Sequence, residues 1–147
     1  MLLGTLYETQ KRFELAEKHY NAALEINPDF CPAANNLAYL LADRGGDLNK
    51  ALSLAQKAKE KFPEDPNVMD TLGLVYYKRG LYDSAIDEFT DSLKKNPDNA
   101  VVHYHLGMAF YKKGDKDRAK KELKKALGLD QKFDKAEEAR RILSSLN

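Results

Sequence analysis

The chain has 147 residues, 43% of them hydrophobic, which is enough apolar material for the core of one ordinary domain. Its 24 lysines and arginines balance 23 aspartates and glutamates to a net charge of +1, which argues against nucleic acid or an anionic membrane as the partner. The single cysteine, Cys31, excludes an internal disulfide, and no window is apolar enough for direct membrane insertion.

Four similar units and a tail follow one another along the chain. We place the units at about residues 1–30, 31–65, 66–99 and 100–133, and the tail at 134–147. The first unit is truncated, because its opening helix lacks the first turn that the others have. We therefore expect that further repeats precede this chain, or that a second copy covers the N-terminal face.

The third unit shows the expected local structure most clearly. Asp65 followed by Pro66 predicts a helix start, because the aspartate accepts first-turn amide hydrogens and the proline has none to leave unsatisfied. Gly80 predicts the end of that helix, since glycine adopts the left-handed conformation that closes one. A second amphipathic run follows. The small residues Gly73 and Ala85 would let the two helices cross closely, so the unit is predicted to be an antiparallel helical hairpin.

Motif positions recur through the chain in one register. Leu72 has counterparts at Leu3, Leu37 and Leu106, with spacings of 34, 35 and 34 residues. The glycine after it recurs at Gly4 and Gly107. The one extra residue falls in the turn RGGDLNK, where a surface loop tolerates an insertion.

This period, with leucine-glycine, an aromatic residue, then alanine, a second aromatic residue and proline, resembles the tetratricopeptide repeat family. The resemblance implies an all-α fold with a single domain over 1–147. Its architecture would be a right-handed α-solenoid of tandem helix-turn-helix repeats with a C-terminal capping helix. Departures from the pattern are Lys11 for a turn glycine, Ser92 for alanine and Gln131 for the last proline.

The composition of the units is most similar to bacterial members of the family, including those attached to surface-polysaccharide and protein-export systems. This looser similarity leaves two locations open, the cytoplasm and a periplasmic domain attached to a lipoprotein.

The resemblance also implies where a partner would bind. In this architecture the first helix of each hairpin lines a concave surface and the second helix lies on the convex side. Amide side chains can donate and accept hydrogen bonds towards a peptide backbone, and tyrosines supply contact area with few rotors to freeze. We therefore predict a peptide-binding groove; the alternative is that its tyrosines are half-buried spacers between repeats. The predicted groove residues are Asn35, Asn36, Tyr39, Asp43, Asn67, Asp70, Thr71, Leu74, Tyr77, Lys78, Val101, Tyr104, His105, Met108, Tyr111 and Lys112.

The groove positions do not suit the C-terminal carboxylate of a chaperone. Family members that bind this group use lysine and asparagine in one first helix, asparagine in the next, and lysine with arginine in the third. Those places hold Asn35, Tyr39, Thr71, Val101 and His105 here, and aligning the first to third units supplies no cations either. Because a carboxylate needs such cations, we exclude this partner.

Nothing in the sequence indicates catalysis. His103 and His105 are two residues apart on a helix, so they point in different directions and cannot chelate one metal ion. We expect His103 in the core and His19 on the surface. The chain carries no phosphate-binding glycine loop and no HExxH motif. We therefore expect no enzyme, no metal site and no cofactor.

Two functions remain open. The first is a protein interaction scaffold that binds a partner peptide or helix in the concave groove as part of a larger assembly. The second is a self-associating structural module, a homo-oligomer joined through its repeat end faces. Lys120, Lys121, Lys124 and Lys125 are expected to form a solvated convex face, the alternative being a docking surface for an acidic partner or anionic polymer.

Overall fold

The computed structural model describes residues 2–147, and within that range the chain forms nine α-helices and no strands. The predicted first repeat begins at Met1, which lies outside the described residues. The all-α class is confirmed. The helices are α1 (Leu2–Thr9), α2 (Phe13–Ile26), α3 (Cys31–Arg44), α4 (Leu48–Lys61), α5 (Pro66–Lys78), α6 (Tyr82–Lys95), α7 (Ala100–Lys113), α8 (Lys116–Leu129) and α9 (Ala136–Ser145).

The helices pack as consecutive pairs that stack side by side. Helix α1 packs on α2, α3 on α4, α5 on α6 and α7 on α8, and the second helix of each of the first three pairs also contacts the first helix of the next. In addition, α3 contacts α5 and α5 contacts α7. The first helices α3, α5 and α7 therefore form a row along one side of the stack, as in the predicted solenoid architecture.

The ends of the helices follow from local side-chain chemistry. The Asp65 carboxylate accepts a hydrogen bond from the backbone N–H of Asn67 at 2.8 Å, as the Asp-Pro start predicts. Lys11 adopts a left-handed φ of 58° in the turn of the first pair, where the other pairs use glycine. The three turn glycines with φ between 74° and 84° are Gly45, Gly80 and Gly114.

Close helix crossing depends on the glycine of the leucine-glycine motif. A Cβ added at Gly73 would lie 2.6 Å from the Phe89 ring, and one added at Gly107 would lie 2.9 Å from Leu123. Phe89 and Ala85 are fully buried at the same crossing. The predicted hairpin packing is therefore confirmed, since the interior has no room for one more methyl group.

Helix α9 covers the apolar end of the last pair. Its Ala136, Ala139 and Ile142 are buried, and the Phe133 ring before it packs on Tyr104 with ring centroids 5.7 Å apart. The opposite side of α9 is exposed and charged. The predicted capping helix is present, and it brings a second set of side chains to the row of first helices.

Candidate functional site

A buried Asp70–His105 pair joins two first helices at the centre of the predicted groove. His105 Nδ1 on α7 lies 2.8 Å from the Asp70 carboxylate on α5, and the two side chains are only 7% and 12% exposed. Because a carboxylate accepts hydrogen bonds, Nδ1 carries the proton that it donates. In the neutral ring Nε2 is then left as an acceptor. The pair fixes both the spacing of α5 and α7 and the tautomer of the imidazole.

Aromatic rings surround this imidazole on three sides. The ring centroid of His105 lies 6.1 Å from that of Tyr39, 5.4 Å from Phe89 and 5.7 Å from Tyr104. The cluster brings together side chains of α3, α6 and α7. It holds the imidazole in place by packing as well as by the hydrogen bond.

The predicted groove residues fall into three classes of exposure. Asn67, Lys78 and Lys112 are exposed, and seven others are half-buried: Asn35, Asn36, Tyr39, Asp43, Tyr77, Val101 and Tyr111. The remaining six are buried: Asp70, Thr71, Leu74, Tyr104, His105 and Met108.

Six of the predicted groove residues are thus enclosed, and a bound segment could contact only the others. Thr71 is 2% exposed and donates a hydrogen bond to the carbonyl of Asn67 in its own helix at 3.0 Å. Tyr104 and Met108 pack in a cluster with Phe133 and α9, and the Asp70–His105 pair is satisfied across α5 and α7. Neighbouring helices therefore enclose side chains that the repeat register alone places on the concave face.

A small cavity of about 90 Å³ lies where α3, α5, α7 and the α9 region meet. Its lining mixes apolar and aromatic side chains, Leu74, Tyr77, Tyr104 and Met108, with a larger share of polar and charged ones. The His105 ring also lines it. Concave sites with several convergent polar groups are a common form of binding site in proteins.

Charged side chains of both signs complete the lining of this cavity. Asp43 reaches it from α3 and Glu138 from α9, whereas Lys78 and Lys135 supply the cations. Among the described residues Asp43, Lys78 and Lys135 form no ion pair, whereas Glu138 pairs with Arg141 at 3.7 Å. The fold therefore leaves three of these four charges available.

The tyrosine hydroxyls on this face lie among carboxylates. Burial raises the pKa of Tyr39, and the charges of Asp70, Asp43, Glu8 and Asp134 add to the increase. The Tyr39 hydroxyl thus remains a neutral hydrogen-bonding group at neutral pH.

The two tyrosines at the cavity behave in the same way. Burial raises the pKa of Tyr77 to about 12, with smaller contributions from Tyr82 and Glu138. Burial also raises the pKa of Tyr104, and the Glu138 carboxylate adds to the shift. Each hydroxyl therefore keeps its proton at neutral pH.

Three residues at or near this face are absent from the groove predicted from the sequence. The repeat pattern places Glu138 and Lys135 in a solvated cap, yet both line the cavity. Glu8 is the register equivalent of Tyr77 and Tyr111 and is absent from the predicted groove. Treating α9 as a further first helix, and extending the alignment to α1, would find all three.

The convex side carries a separate basic surface. A shallow cleft of about 700 Å³ on α8 is lined by Lys121, Lys124 and Lys125 together with His103. His103 is 8% exposed, as expected for a core position, and its Nδ1 lies 2.6 Å from the Glu122 carboxylate. The cleft faces away from the row of first helices.

No group of three His, Cys, Asp or Glu side chains in the described range is placed to hold a metal ion. None of the helices in that range has the length and apolar character needed to cross a bilayer.

The stacked hairpins define the class of protein, an α-solenoid built from tandem helix pairs. Family models of the tetratricopeptide repeat match residues 1–30, 19–53 and 100–133, and a model described as a TPR repeat matches residues 73–114. The chain belongs to the tetratricopeptide repeat family.

Curated relatives come from mammals and bacteria. The chain is 32% identical over 95 residues to the BBSome complex member BBS4 of Bos taurus, covering 62% of this chain and 17% of that protein. It is 37% identical over 73 residues to a TPR repeat-containing protein of Pseudomonas aeruginosa, covering 48% of this chain and 12% of the other. The chain thus spans less than a fifth of the length of these relatives.

Solved structures share the fold. A thermophilic TPR protein of Thermus thermophilus superposes with a TM-score of 0.82 at 24% identity, over 98% of this chain and 77% of that one. A crystal structure of MamA superposes with a TM-score of 0.71 at 20% identity, over 99% and 88% of the two chains. Family and fold together suggest a protein-interaction scaffold, in a family that is generally non-enzymatic.

Proposed function

We propose that this chain binds a segment of a partner protein in the concave groove along α3, α5 and α7, and so holds that partner within a larger assembly. One observation carries the proposal: a cavity lined by Asp43, Lys78 and Lys135, which form no ion pair among the described residues, lies beside half-buried tyrosines on the row of first helices. A bound segment can pair with these charges and cover the exposed part of the rings.

The groove residues that remain accessible are the ones that would contact this segment. Asn67 is exposed on α5, and Tyr39 and Tyr77 are half-buried on neighbouring first helices. Their amide and hydroxyl groups can pair with a peptide backbone, and the rings supply apolar area. The buried residues beneath them act by holding this surface in shape.

The test is a selection of short random peptides displayed against the immobilised chain, followed by affinity measurements on the selected peptides. We expect Tyr77→Ala and Asn67→Ala to weaken binding at least about tenfold, since contact tyrosines are frequent hot spots. Tyr7→Ala is the matched control, because this half-buried tyrosine packs on His19 of the second helix of the first hairpin. Selected peptides that lose affinity with Tyr7→Ala and keep it with the groove variants would contradict the proposal.

A second candidate function rests on the exposed apolar face of α1. Leu3 and Leu6 are 51% and 47% exposed. Their register equivalents in the other first helices are at most 5% exposed: Leu37, Leu72 and Leu106 for Leu3, and Leu40, Val75 and Ala109 for Leu6. A second copy that covers α1 would remove this difference.

Sedimentation of the purified chain tests self-association. If copies join through α1, Leu6→Glu converts the oligomer to monomer, because a buried interface does not tolerate an unpaired charge. The matched control is Leu81→Glu, at a leucine that is 48% exposed in another part of the molecule. A wild-type chain that is monomeric at high concentration excludes this second function.

A further inference from the structure

The imidazole of His105 lines the cavity with a ring whose orientation is fixed. Its side chain is 7% exposed, and its Nδ1 is committed to Asp70. Nε2 has no hydrogen bond within the described residues and is not one of the fully buried atoms left without a partner, so solvent reaches it. In the neutral ring Nε2 is a hydrogen-bond acceptor, and an occupant with an N–H donor can pair with it.

One part of the cavity lining suits the alkyl stem of a long side chain. Leu74, Met108 and the Tyr77 and Tyr104 rings form this part, beside the polar groups. The cavity volume is about 90 Å³. One extended side chain fits such a space better than a backbone segment or a bulky ring does. Lysine and arginine combine an alkyl stem of this kind with a terminal charged group.

The acceptors around the cavity favour a cationic end group. Asp43 lines the cavity without an ion pair among the described residues, and Glu138 has one ion pair, with Arg141 at 3.7 Å, and lies beside the Tyr104 hydroxyl. The Asp70, Asp134 and Glu8 carboxylates add negative charge around Tyr39 on the same face. An anionic end group would meet these carboxylates and the Nε2 lone pair at the same time.

Two lysines also line the cavity, and they allow a direct test of whether the ligand's end group is a cation or an anion. Lys78 is exposed and Lys135 is half-buried. Their flexible stems can keep the ammonium groups in water, away from an arriving cation. They would still repel such a cation, whereas they would attract an anion. The effect of removing one of these lysines therefore has opposite signs for the two kinds of ligand.

We propose that this cavity is a subsite for one lysine or arginine side chain of the bound partner segment. This inference rests on the proposed groove function. Asp43 and Glu138 pair with the charged end, His105 Nε2 accepts one of its hydrogen bonds, and the tyrosine rings pack on the alkyl stem. The partner is thus a basic segment, and this identifies its chemistry without identifying the protein.

The experiment titrates the full chain with N-acetyl-L-argininamide while the ring signals of His105 and Tyr104 are followed by nuclear magnetic resonance. The argininamide should shift these signals with a saturable, millimolar affinity. N-acetyl-L-glutaminamide is the neutral control and N-acetyl-L-glutamate the anionic one, and neither should produce the shift. No shift with the argininamide, or an equal shift with the glutaminamide, overturns the proposal.

Two isosteric variants decide which charges are involved. Asp43→Asn should weaken the argininamide about tenfold, because it removes a charge-assisted hydrogen bond. Lys78→Gln, at an exposed site, should strengthen it. Circular dichroism checks that both variants stay folded. Weaker binding with Lys78→Gln, or unchanged binding with Asp43→Asn, contradicts a cation subsite.

The selected peptides separate this inference from the groove function. Peptides that need Tyr77 and Asn67 for binding, but contain no lysine or arginine and ignore Asp43→Asn, leave the groove function standing and refute the subsite. If no peptide binds the groove, the groove function fails by itself. The argininamide titration reports on the cavity in either case.

Discussion

The first and third hairpins have the same motif but differ in how fully their neighbours cover them. Helix α5 has 13 residues, and its Leu72 and Val75 are at most 3% exposed because the preceding hairpin packs on them. Helix α1 has eight residues, and the equivalent Leu3 and Leu6 are about half exposed. The same leucine thus stabilises the fold to very different degrees. In a solenoid, stability comes from the interface between neighbouring repeats as much as from the hairpin itself.

The largest expected effect comes from truncating the motif leucine in each hairpin. Leu72→Ala should lower the free energy of unfolding by about 3 kcal/mol, because it leaves a cavity in a fully packed core. Leu3→Ala should lower it by less than about 1 kcal/mol, since half of that side chain is already in water. Urea unfolding followed by circular dichroism measures both. Equal losses would show that α1 is covered in solution.

The next effect comes from adding a methyl group at the helix crossings. A Cβ at Gly73 would lie 2.6 Å from the Phe89 ring, and one at Gly4 would lie 2.6 Å from the Tyr20 ring. Gly73→Ala should cost about 2 kcal/mol, because the ring is enclosed on all sides. Gly4→Ala should cost less, since Leu3 and Leu6 on α1 are about half exposed and the helix has room to shift away from Tyr20.

The control for both crossings is Gly128→Ala on α8, where the added methyl group meets no atom within 4 Å. This change should raise stability by up to about 1 kcal/mol through helix propensity. If Gly4→Ala costs as much as Gly73→Ala in urea unfolding, the claim that α1 is free to adjust is wrong.

The smallest effect concerns the turn of the first hairpin. Lys11 has a φ of 58°, whereas its register equivalent Gly80 has a φ of 78° with open space around it. Lys11→Gly should stabilise the chain by about 1 kcal/mol, because only glycine takes this conformation without strain. The reciprocal change Gly80→Lys should destabilise it by a similar amount. Hydrogen exchange of the α1 amides would locate the gain in the first hairpin, and an unchanged exchange rate there would contradict the explanation.

Local chemistry explains why the helices and their crossings were predictable. The start of α5 at Asp65 and Pro66, the turn at Gly80 and the contact between Gly73 and Phe89 all depend on residues close in sequence. Four copies of the motif repeat these signals in register, so each copy supports the others. The division into repeats at about residues 31, 66 and 100 stays a prediction based on the same register.

The candidate site was only partly predictable, as Tyr104 and Glu138 illustrate. The register correctly assigns Tyr104 to a first helix, but its exposure depends on Phe133 and α9, which come about 30 residues later in the chain. The pattern of α9 predicts a solvated Glu138, and the position of this residue in the cavity depends on how α9 packs. No local pattern encodes either outcome.

The sequence by itself determined a chain of helical hairpins and the side of each hairpin that would face a partner, because periodic apolar residues and turn glycines act over short distances. The tertiary structure alone decided which of those side chains stay accessible, that Asp70 and His105 pair across two repeats, and that a cavity forms beside them. These features require helices far apart in sequence to meet, and burial and charge at such a meeting are properties of the packed molecule rather than of any single segment.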